Sequence, residues 1–210
     1  MSEGSEETVM EETAMIEVKR GDELGEGYRR GIAEVFVEGF GDDLRYFAED
    51  PAELAAAIDH MLVLERFHVA LIDGRPAALA SLTEGGQEAV DHDARTLRRH
   101  LGLVKGTIAN RVFRTHFQGN SVEPEPGRVE IGFVASARRF RGQGAAKAVL
   151  NHLLALPEYD EYTLEDIKDT NEPALRLYER VGFHEYKRRR ANHSRWSGFE
   201  AYVSMKLTQS

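Results

Sequence analysis

The sequence predicts an α/β (α+β) domain, a single unit in which strands and helices share one core. Short runs of branched and aromatic residues with a two-residue period alternate with longer stretches in which apolar residues recur every three or four positions. At 210 residues the chain is long enough for one good core. We therefore expect one domain rather than two.

Composition excludes several classes of protein. The formal net charge is -9, and five glutamates lie within residues 1–13, a stretch without Lys or Arg that we expect to be a disordered tail before a domain over 14–210. The absence of cysteine excludes a disulfide framework, a thiolate nucleophile and a cysteine-based zinc site. No stretch approaches about 18 consecutive apolar residues, and the N-terminus lacks the layout of a signal peptide. We expect a soluble, cytoplasmic protein that does not enter a membrane.

The first pattern along the chain is a strand over 14–19, followed by a helix over 23–40. A second helix is expected to begin at Asp50-Pro51, because aspartate is a good N-cap and proline is tolerated in the first helical turn. Its apolar side is formed by Leu54, Ile58, Met61 and Leu62.

A β-hairpin follows, because the apolar runs 67–72 and 77–83 are separated by the turn Asp73-Gly74. Residues 88–118 then show a helical pattern with mixed three- and four-residue steps, interrupted by Gly102 and Gly106. We interpret this stretch as a helical insertion that packs on the sheet or lies over a binding site.

A strand over 129–136 leads through a basic, glycine-rich turn into an amphipathic helix that Pro157 stops. Between Arg138 and Lys147 there are four cations and no acid. The first amides of a helix have no internal acceptor and lie at the positive end of its dipole. The turn is therefore predicted to bind a phosphate or pyrophosphate. It lacks the Gly-Lys-Ser/Thr ending of a nucleoside triphosphatase loop.

The next helix is predicted from its ends. Asn171 is a good N-cap, Pro173 suits the first turn, and Gly182 suits the left-handed residue just past a helix end. Strand patterns return over 183–188 and 199–207.

Two motifs resemble those of the GNAT acetyltransferase superfamily. Arg141-Gly142-Gln143-Gly144-Ala145-Ala146 matches the Arg/Gln-x-x-Gly-x-Gly/Ala signature, which cradles the pyrophosphate of acetyl-coenzyme A. Residues 171–183 are similar to the Asn-x-x-Ala-x-x-Leu-Tyr-x-x-x-Gly-Phe element of the same family. The resemblance is close over roughly 128–206, and in the first half it extends only to the order of the elements.

The resemblance implies a central, mixed but mostly antiparallel twisted sheet flanked by helices, with a coenzyme-binding core over about 128–183. It implies acetyl-coenzyme A as a cosubstrate, and the spacing of the histidines separately gives no reason to expect a metal. The cations Arg138, Arg139 and Lys147 are candidates to contact the phosphates of the coenzyme. By the same resemblance, the residues expected to bind the coenzyme are Val134, Ser136, Arg141, Gly142, Gln143, Gly144, Ala145, Ala146 and Asn171.

Tyr178 has two interpretations. It shares an apolar helix face with Ala174, Leu177 and Val181, so spacing alone favours a core tyrosine whose hydroxyl finds a partner. Many members of the family that the chain resembles place this hydroxyl beside the sulfur of the coenzyme, where it protonates the departing thiolate. The resemblance therefore implies that Tyr178 is a catalytic acid.

Glu130 is the candidate base, because several members of the family place a base that works through water on this strand. Alternation predicts that Glu130 shares a strand face with Gly132 and Val134, opposite Ile131 and Phe133. A solvated strand glutamate is the other interpretation. Glu165, on the next predicted strand, is the chief rival for the role of base.

Two classes of function stay open. The first is an N-acetyltransferase that moves an acetyl group to a primary amine of a small molecule or peptide by direct attack in a ternary complex. The second is an inactive acetyl-coenzyme A sensor or structural module. The eight histidines show no close metal-ligand spacing. We interpret Lys187–Arg190 as a solvated strand edge rather than a nucleic-acid site, and we expect a monomer or homodimer.

Overall fold

A mixed sheet of seven strands forms the centre of the molecule. The computed structural model describes residues 15–44, 50–91, 93–108, 125–191 and 198–209. The strands are β1 (Ile16–Arg20), β2 (Phe67–Ile72), β3 (Arg75–Thr83), β4 (Arg128–Ser136), β5 (Glu161–Lys168), β6 (His184–Arg190) and β7 (Ala201–Thr208). Their order across the sheet is β1-β2-β3-β4-β5-β7-β6, and only β4 and β5 run parallel to each other.

Helices cover both faces of this sheet, which confirms the predicted fold class. The described helices are α1 (Gly21–Leu24), α2 (Arg29–Leu44), α3 (Pro51–Ile58), α4 (Ala94–Leu101), α5 (Ala145–Leu154) and α6 (Glu172–Arg180). Helix α4 lies within the stretch interpreted as an insertion, whose residues 109–118 are outside the described part of the chain. The predicted acidic tail over 1–13 is outside it too, so these domain limits stay predictions.

The single helix predicted over 23–40 is wrong. Helix α1 ends at Leu24, Gly25 adopts a positive φ of 79°, and a 3-10 turn over Glu26–Tyr28 precedes α2. Glycine has no Cβ and takes this left-handed conformation readily, which ends the first helix. The apolar period of the sequence continues across the break and therefore hides it.

Two apolar layers pack on opposite faces of the sheet. Helices α2 and α3 cover one layer, in which the ring centroids of Phe36, Phe67 and Phe133 are 5.3–6.3 Å apart, a spacing that suits edge and tilted aromatic contacts. Helices α5 and α6 cover the other layer. Its helix residues Val149, Leu150 and Leu153 are fully buried, which confirms that the helix after the basic turn is amphipathic.

The parallel pairing of β4 and β5 is short. Arg128–Glu130 pair with Glu161–Thr163, and no pairing of the two strands continues beyond this point in the described residues. The β4 edge over 131–136 that faces β5 therefore has backbone groups without a ladder partner. Unpaired backbone groups need another hydrogen-bonding partner, and a bound molecule can supply one.

A bulge in β4 corrects the predicted alternation. Phe133 adopts a φ of 47°, and the register with β3 slips between Leu79 and Ser81. As a result Phe133 packs in the layer under α2, whereas Val134 packs in the layer under α5. Alternation predicted the reverse, with Phe133 on the face of Ile131 and Val134 on the face of Glu130, because it assumes an unbroken strand.

Strand β6 is an edge of the sheet, and all seven of its residues are exposed. Its sequence HEYKRRR contains the basic run Lys187–Arg190. Arg188 pairs with Glu185, and Arg189 pairs with Asp166 of β5. This arrangement agrees with the interpretation of the run as a solvated strand edge.

Helix α2 approaches β4 closely at Gly39, where an added Cβ would lie 2.5 Å from Cβ of Ala135. We expect Gly39→Ala to lower the free energy of unfolding by about 1–3 kcal/mol, because the helix must move off the sheet to admit the methyl group. Gly27→Ala is the matched control, since nothing lies within 4 Å of its added Cβ. Urea denaturation measures both, and equal stabilities would contradict the close contact.

Candidate active site

The turn between β4 and α5 is built from backbone amides. After a 3-10 turn over Arg138–Phe140, Gly142 and Gly144 adopt positive φ values of 80° and 85°, and Gly144 is the N-cap of α5 without a side chain to cap it. Among the described residues none accepts a hydrogen bond from the backbone N–H groups of Gly142 or Gly144, nor from those of 145–147. These N–H groups and the helix dipole favour an anion.

Four cations lie along this turn without a counter-ion in the described part of the chain. No described carboxylate lies within 4.0 Å of the side-chain nitrogens of Arg138, Arg139, Arg141 or Lys147, although the chain as a whole is acidic. Glu38 of α2 instead accepts a hydrogen bond from the backbone N–H of Arg138. This contact ties α2 to the start of the turn and leaves the guanidinium group available.

The space at the turn suits a polyanionic ligand such as the pyrophosphate of coenzyme A. A Cβ added at Gly142 meets nothing within 4 Å, and one added at Gly144 meets only Cδ1 of Ile16, at 3.9 Å. The surface of the turn is thus open, and a ligand can touch its backbone. The predicted coenzyme residues from Arg141 to Ala146 all lie here.

Val134 and Ser136, also predicted to bind the coenzyme, lie on the β4 segment whose edge β5 leaves unpaired. This segment runs directly into the turn. The amides of the turn and the free edge of β4 therefore form one continuous hydrogen-bonding surface.

A cavity of about 490 Å³ lies over the β4–β5 pairing, since its lining includes all three paired residues of β4 and Thr163 of β5. It contains Glu130 and its rival Glu165 together, so the structure brings both candidate bases into one site. Glu130 alternates with Val129 and Ile131, which pack under α5, so its side chain points to the opposite face of the sheet. The lining residues are Thr83, Glu84, Gly85, Gly86, Gln87, Glu125, Arg128, Val129, Glu130, Thr163, Glu165, Asp166, Tyr186, Lys187 and Arg189.

Glu130 has the electrostatic properties of a base. Burial, reinforced by the negative charges of Glu165 and Asp166, raises the pKa of Glu130 to about 7, and nearby Arg128 opposes the shift. A carboxylate with a pKa near neutrality can accept a proton at physiological pH and is strong enough as a base to be useful. Its raised pKa separates it from a solvated strand glutamate.

Tyr186 and Asp166 are site residues that sequence reasoning missed. The Tyr186 hydroxyl donates a short hydrogen bond to Glu165, and Arg189 lies 3.1 Å from Asp166. Burial and this hydrogen bond raise the pKa of Tyr186, so its hydroxyl keeps its proton. No local motif marks these residues. The strand order β5-β7-β6 brings Tyr186 of β6 to the carboxylates of β5, and this order is a property of the whole sheet.

Tyr178 lies on the other side of the sheet from the cavity, in the layer under α5 and α6. Its side chain is 5% exposed and its ring packs against Phe183, with the centroids 6.2 Å apart. Burial raises the pKa of Tyr178, which keeps the hydroxyl protonated. In the described part of the chain that hydroxyl has no hydrogen-bond partner, unlike the satisfied core tyrosine that spacing alone favoured.

Asn171 occupies the N-cap position of α6, as predicted, but its side chain makes no capping hydrogen bond. Its backbone carbonyl accepts the N–H groups of Ala174 and Leu175 instead. Gly182 follows the helix with a φ of 106°, as its predicted place requires. The exposed Asn171 amide is therefore available to a ligand.

Other site types find no support in the described ranges. No group of three or more His, Asp or Glu side chains is arranged there to hold a metal ion. None of the helices described is long and apolar enough to cross a membrane.

Comparisons with known proteins extend these observations. The model of the acetyltransferase (GNAT) family matches residues 40–183. A search of curated proteins by sequence found no match. Among solved structures, the fold is similar to that of the ribosomal-protein-S18-alanine N-acetyltransferase from Escherichia coli, with a TM-score of 0.52 and 16% identity over 93% of this chain and 95% of that one.

Two further solved structures share the fold. A protein from Corynebacterium glutamicum described as histone acetyltransferase HPA2 and related acetyltransferase gives a TM-score of 0.56 and 19% identity, covering 94% of this chain and 97% of its own. A chain of the NatC complex bound to Gag peptide and CoA gives a TM-score of 0.53 and 17% identity, covering 93% of this chain and 99% of its own. At these identities the likeness is one of fold.

If the turn holds a pyrophosphate, a bulky side chain at Gly144 should block its approach. We expect Gly144→Val to weaken acetyl-coenzyme A binding at least tenfold, roughly 1.4 kcal/mol. Gly74→Val, at a φ of 70° in the β2–β3 turn with nothing within 4 Å of its added Cβ, is the control for backbone strain and should bind normally. Calorimetric titration measures both, and unchanged affinity in a folded Gly144→Val variant would refute the assignment.

Proposed function

The chain belongs to the acetyltransferase (GNAT) family and is an acyltransferase enzyme, and from this premise we propose that it transfers an acetyl group from acetyl-coenzyme A to a primary amine by direct attack in a ternary complex. The observation that carries the proposal is a row of backbone amides and cations that have no partner among the described residues. The row runs from the turn before α5 back along β4 to the point where β4 and β5 separate. The cavity with Glu130 lies on the opposite face of the sheet from Tyr178. Beyond Glu130 and Thr163 the two strands are not paired, which leaves a gap between β4 and β5. The coenzyme and the amine can therefore reach this gap from different sides.

The coenzyme supplies an activated acetyl group as a thioester. We assign its pyrophosphate to the amides and cations of the turn, from Arg141 to Lys147, with Arg138 and Arg139 beside them. Val134 and Ser136 are assigned to the part of the coenzyme that runs along β4, and Asn171 is a further contact. These residues hold the reacting carbon at one end of the gap, which supplies the proximity that direct transfer needs.

Glu130 is assigned the role of base. A primary amine is protonated near neutral pH and must lose a proton before its nitrogen can attack. Glu130 accepts this proton, directly or through water. Its burial and its carboxylate neighbours support the assignment, because both raise its affinity for a proton.

Tyr178 is assigned the role of donor to the leaving sulfur. The nitrogen–carbon bond forms as the carbon–sulfur bond breaks, and the nitrogen releases two protons in all. Glu130 accepts the first proton. The second passes to solvent, from which Tyr178 regains the proton that it gave to the thiolate. The hydroxyl of Tyr178 makes no hydrogen bond to a described residue, which leaves it available to donate to the sulfur.

The acceptor is proposed to be a small molecule or peptide that carries a primary amine. Release of free coenzyme A, measured against a panel of amines, tests the proposed function. Turnover that depends on an amine is the expected result. Tight binding of acetyl-coenzyme A without turnover of any amine would instead indicate a sensor or structural module.

We expect Tyr178→Phe to lower kcat by about 10²–10⁴ while acetyl-coenzyme A affinity stays nearly unchanged, because the hydroxyl acts as charge develops on sulfur. The ring would still fill its site. Tyr162→Phe is the matched control, because it removes another buried hydroxyl, which donates to the Leu156 carbonyl at 3.2 Å. That control should keep kcat. Full turnover by Tyr178→Phe would make Tyr178 a structural residue.

If Glu130 must be ionised to act, kcat/KM should rise with pH through a midpoint of about 7. Glu130→Gln should abolish this acidic limb. Glu165→Gln should keep the limb and move its midpoint to lower pH, because it removes a negative charge that raises the pKa of Glu130. If Glu165→Gln lost the acidic limb and Glu130→Gln kept it, Glu165 would be the base and Glu130 its charged neighbour.

Stability gives a second measure of Glu130 that does not require activity. Folding raises the pKa of this carboxyl, so the folded chain binds more protons than the unfolded chain at pH values up to about 7, and stability falls as pH rises through that window. The Tm of Glu130→Gln should therefore increase relative to wild type between pH 5 and pH 8. A constant difference in Tm would contradict the raised pKa.

A further inference from the structure

The ion pairs of the cavity leave an excess of negative charge. Arg128 lies 3.2 Å from Glu125 and 3.3 Å from Glu161. Arg189 is likewise paired with Asp166 of β5. The cavity carboxylates without a described cation within 4.0 Å are Glu84, Glu130 and Glu165, and the one cavity cation without a described carboxylate at that distance is Lys187.

Glu165 differs from the proposed base in how it is held. The hydroxyl of Tyr186 donates a hydrogen bond to it, which orients the carboxylate without neutralising its charge. Glu130 has no such partner among the described residues. A carboxylate that is oriented but not neutralised can bind a cation, because the remaining lone pairs of its oxygens accept further hydrogen bonds.

The two carboxylates are offset along the sheet. Glu130 pairs with Thr163, and Glu165 lies two residues further along β5, a distance of about 7 Å in an extended strand. Residues two apart on a strand share a face, and both line the same cavity. The cavity thus offers one anionic position at the reacting nitrogen and another at a distance from it.

We propose that the acceptor is a small diamine or polyamine, and that Glu165, positioned by Tyr186, binds its second ammonium group. This inference rests on the proposed acetyl transfer at Glu130. The second ammonium keeps its proton during the reaction, so it can stay bound to Glu165 while the first gives its proton to Glu130. A monoamine of the same length would leave Glu165 without its cation.

The test compares 1,5-diaminopentane with pentylamine as acceptors. We expect wild-type kcat/KM to be at least tenfold higher for the diamine, because one charged hydrogen bond is lost with the monoamine. In Glu165→Gln the ratio should fall towards one, and in Tyr186→Phe to an intermediate value. Glu179→Gln removes an exposed carboxylate on α6, away from the cavity, and should keep the wild-type ratio.

The outcomes separate this inference from the proposed function. Equal kcat/KM for the two amines, with measurable turnover, would overturn the diamine assignment and leave acetyl transfer intact. If neither amine is acetylated, calorimetric titration of each amine into the protein with coenzyme A decides. Tighter binding of the diamine, lost in Glu165→Gln, would support the assignment, and equal binding would overturn it.

Discussion

The short parallel pairing of β4 and β5 is the constraint on which the rest of the structure depends. Three residues of each strand hold the two halves of the sheet together, and beyond Glu130 the β4–β5 ladder does not continue in the described residues. The bulge at Phe133 adds to this, because it turns part of β4 away from regular pairing. A fully paired sheet would separate its two faces completely. This one leaves a gap, and in the proposed mechanism Glu130 and Tyr178 act from its opposite faces on one reacting centre.

Charge is distributed on either side of that gap in a way the total charge conceals. The turn before α5 concentrates cations that have no described counter-ion, although the chain carries a formal charge of -9. The cavity around Glu130 has an excess of carboxylates. Under the proposed function, the cationic surface would attract the polyanionic cosubstrate and the acidic cavity would attract a cationic acceptor. This separation of charge is compatible with the direct transfer proposed above.

Local features of the chain were predictable and long-range ones were not. The turn at Gly144, its amphipathic helix and the hairpin at Asp73-Gly74 follow from short-range chemistry, and the structure confirms them. The predicted strand faces of Phe133 and Val134 were wrong because the bulge inserts an extra residue, which the two-residue period of the sequence does not reveal. Tyr186 escaped notice because its place beside Glu165 depends on the order of strands in the sheet, a property that no window of sequence contains. Residues assigned to the coenzyme stay predictions.

The basic edge strand has a consequence for how the protein meets other copies of itself. An edge strand offers a row of backbone donors and acceptors to any strand that approaches. On β6 the approaching strand would meet Lys187 and Arg190, and an identical β6 would bring its own cations into register with them. Repulsion between these cations disfavours the addition of a second sheet at β6. The basic run that a motif search would associate with nucleic acid is thus of the kind that edge strands use against edge-to-edge pairing.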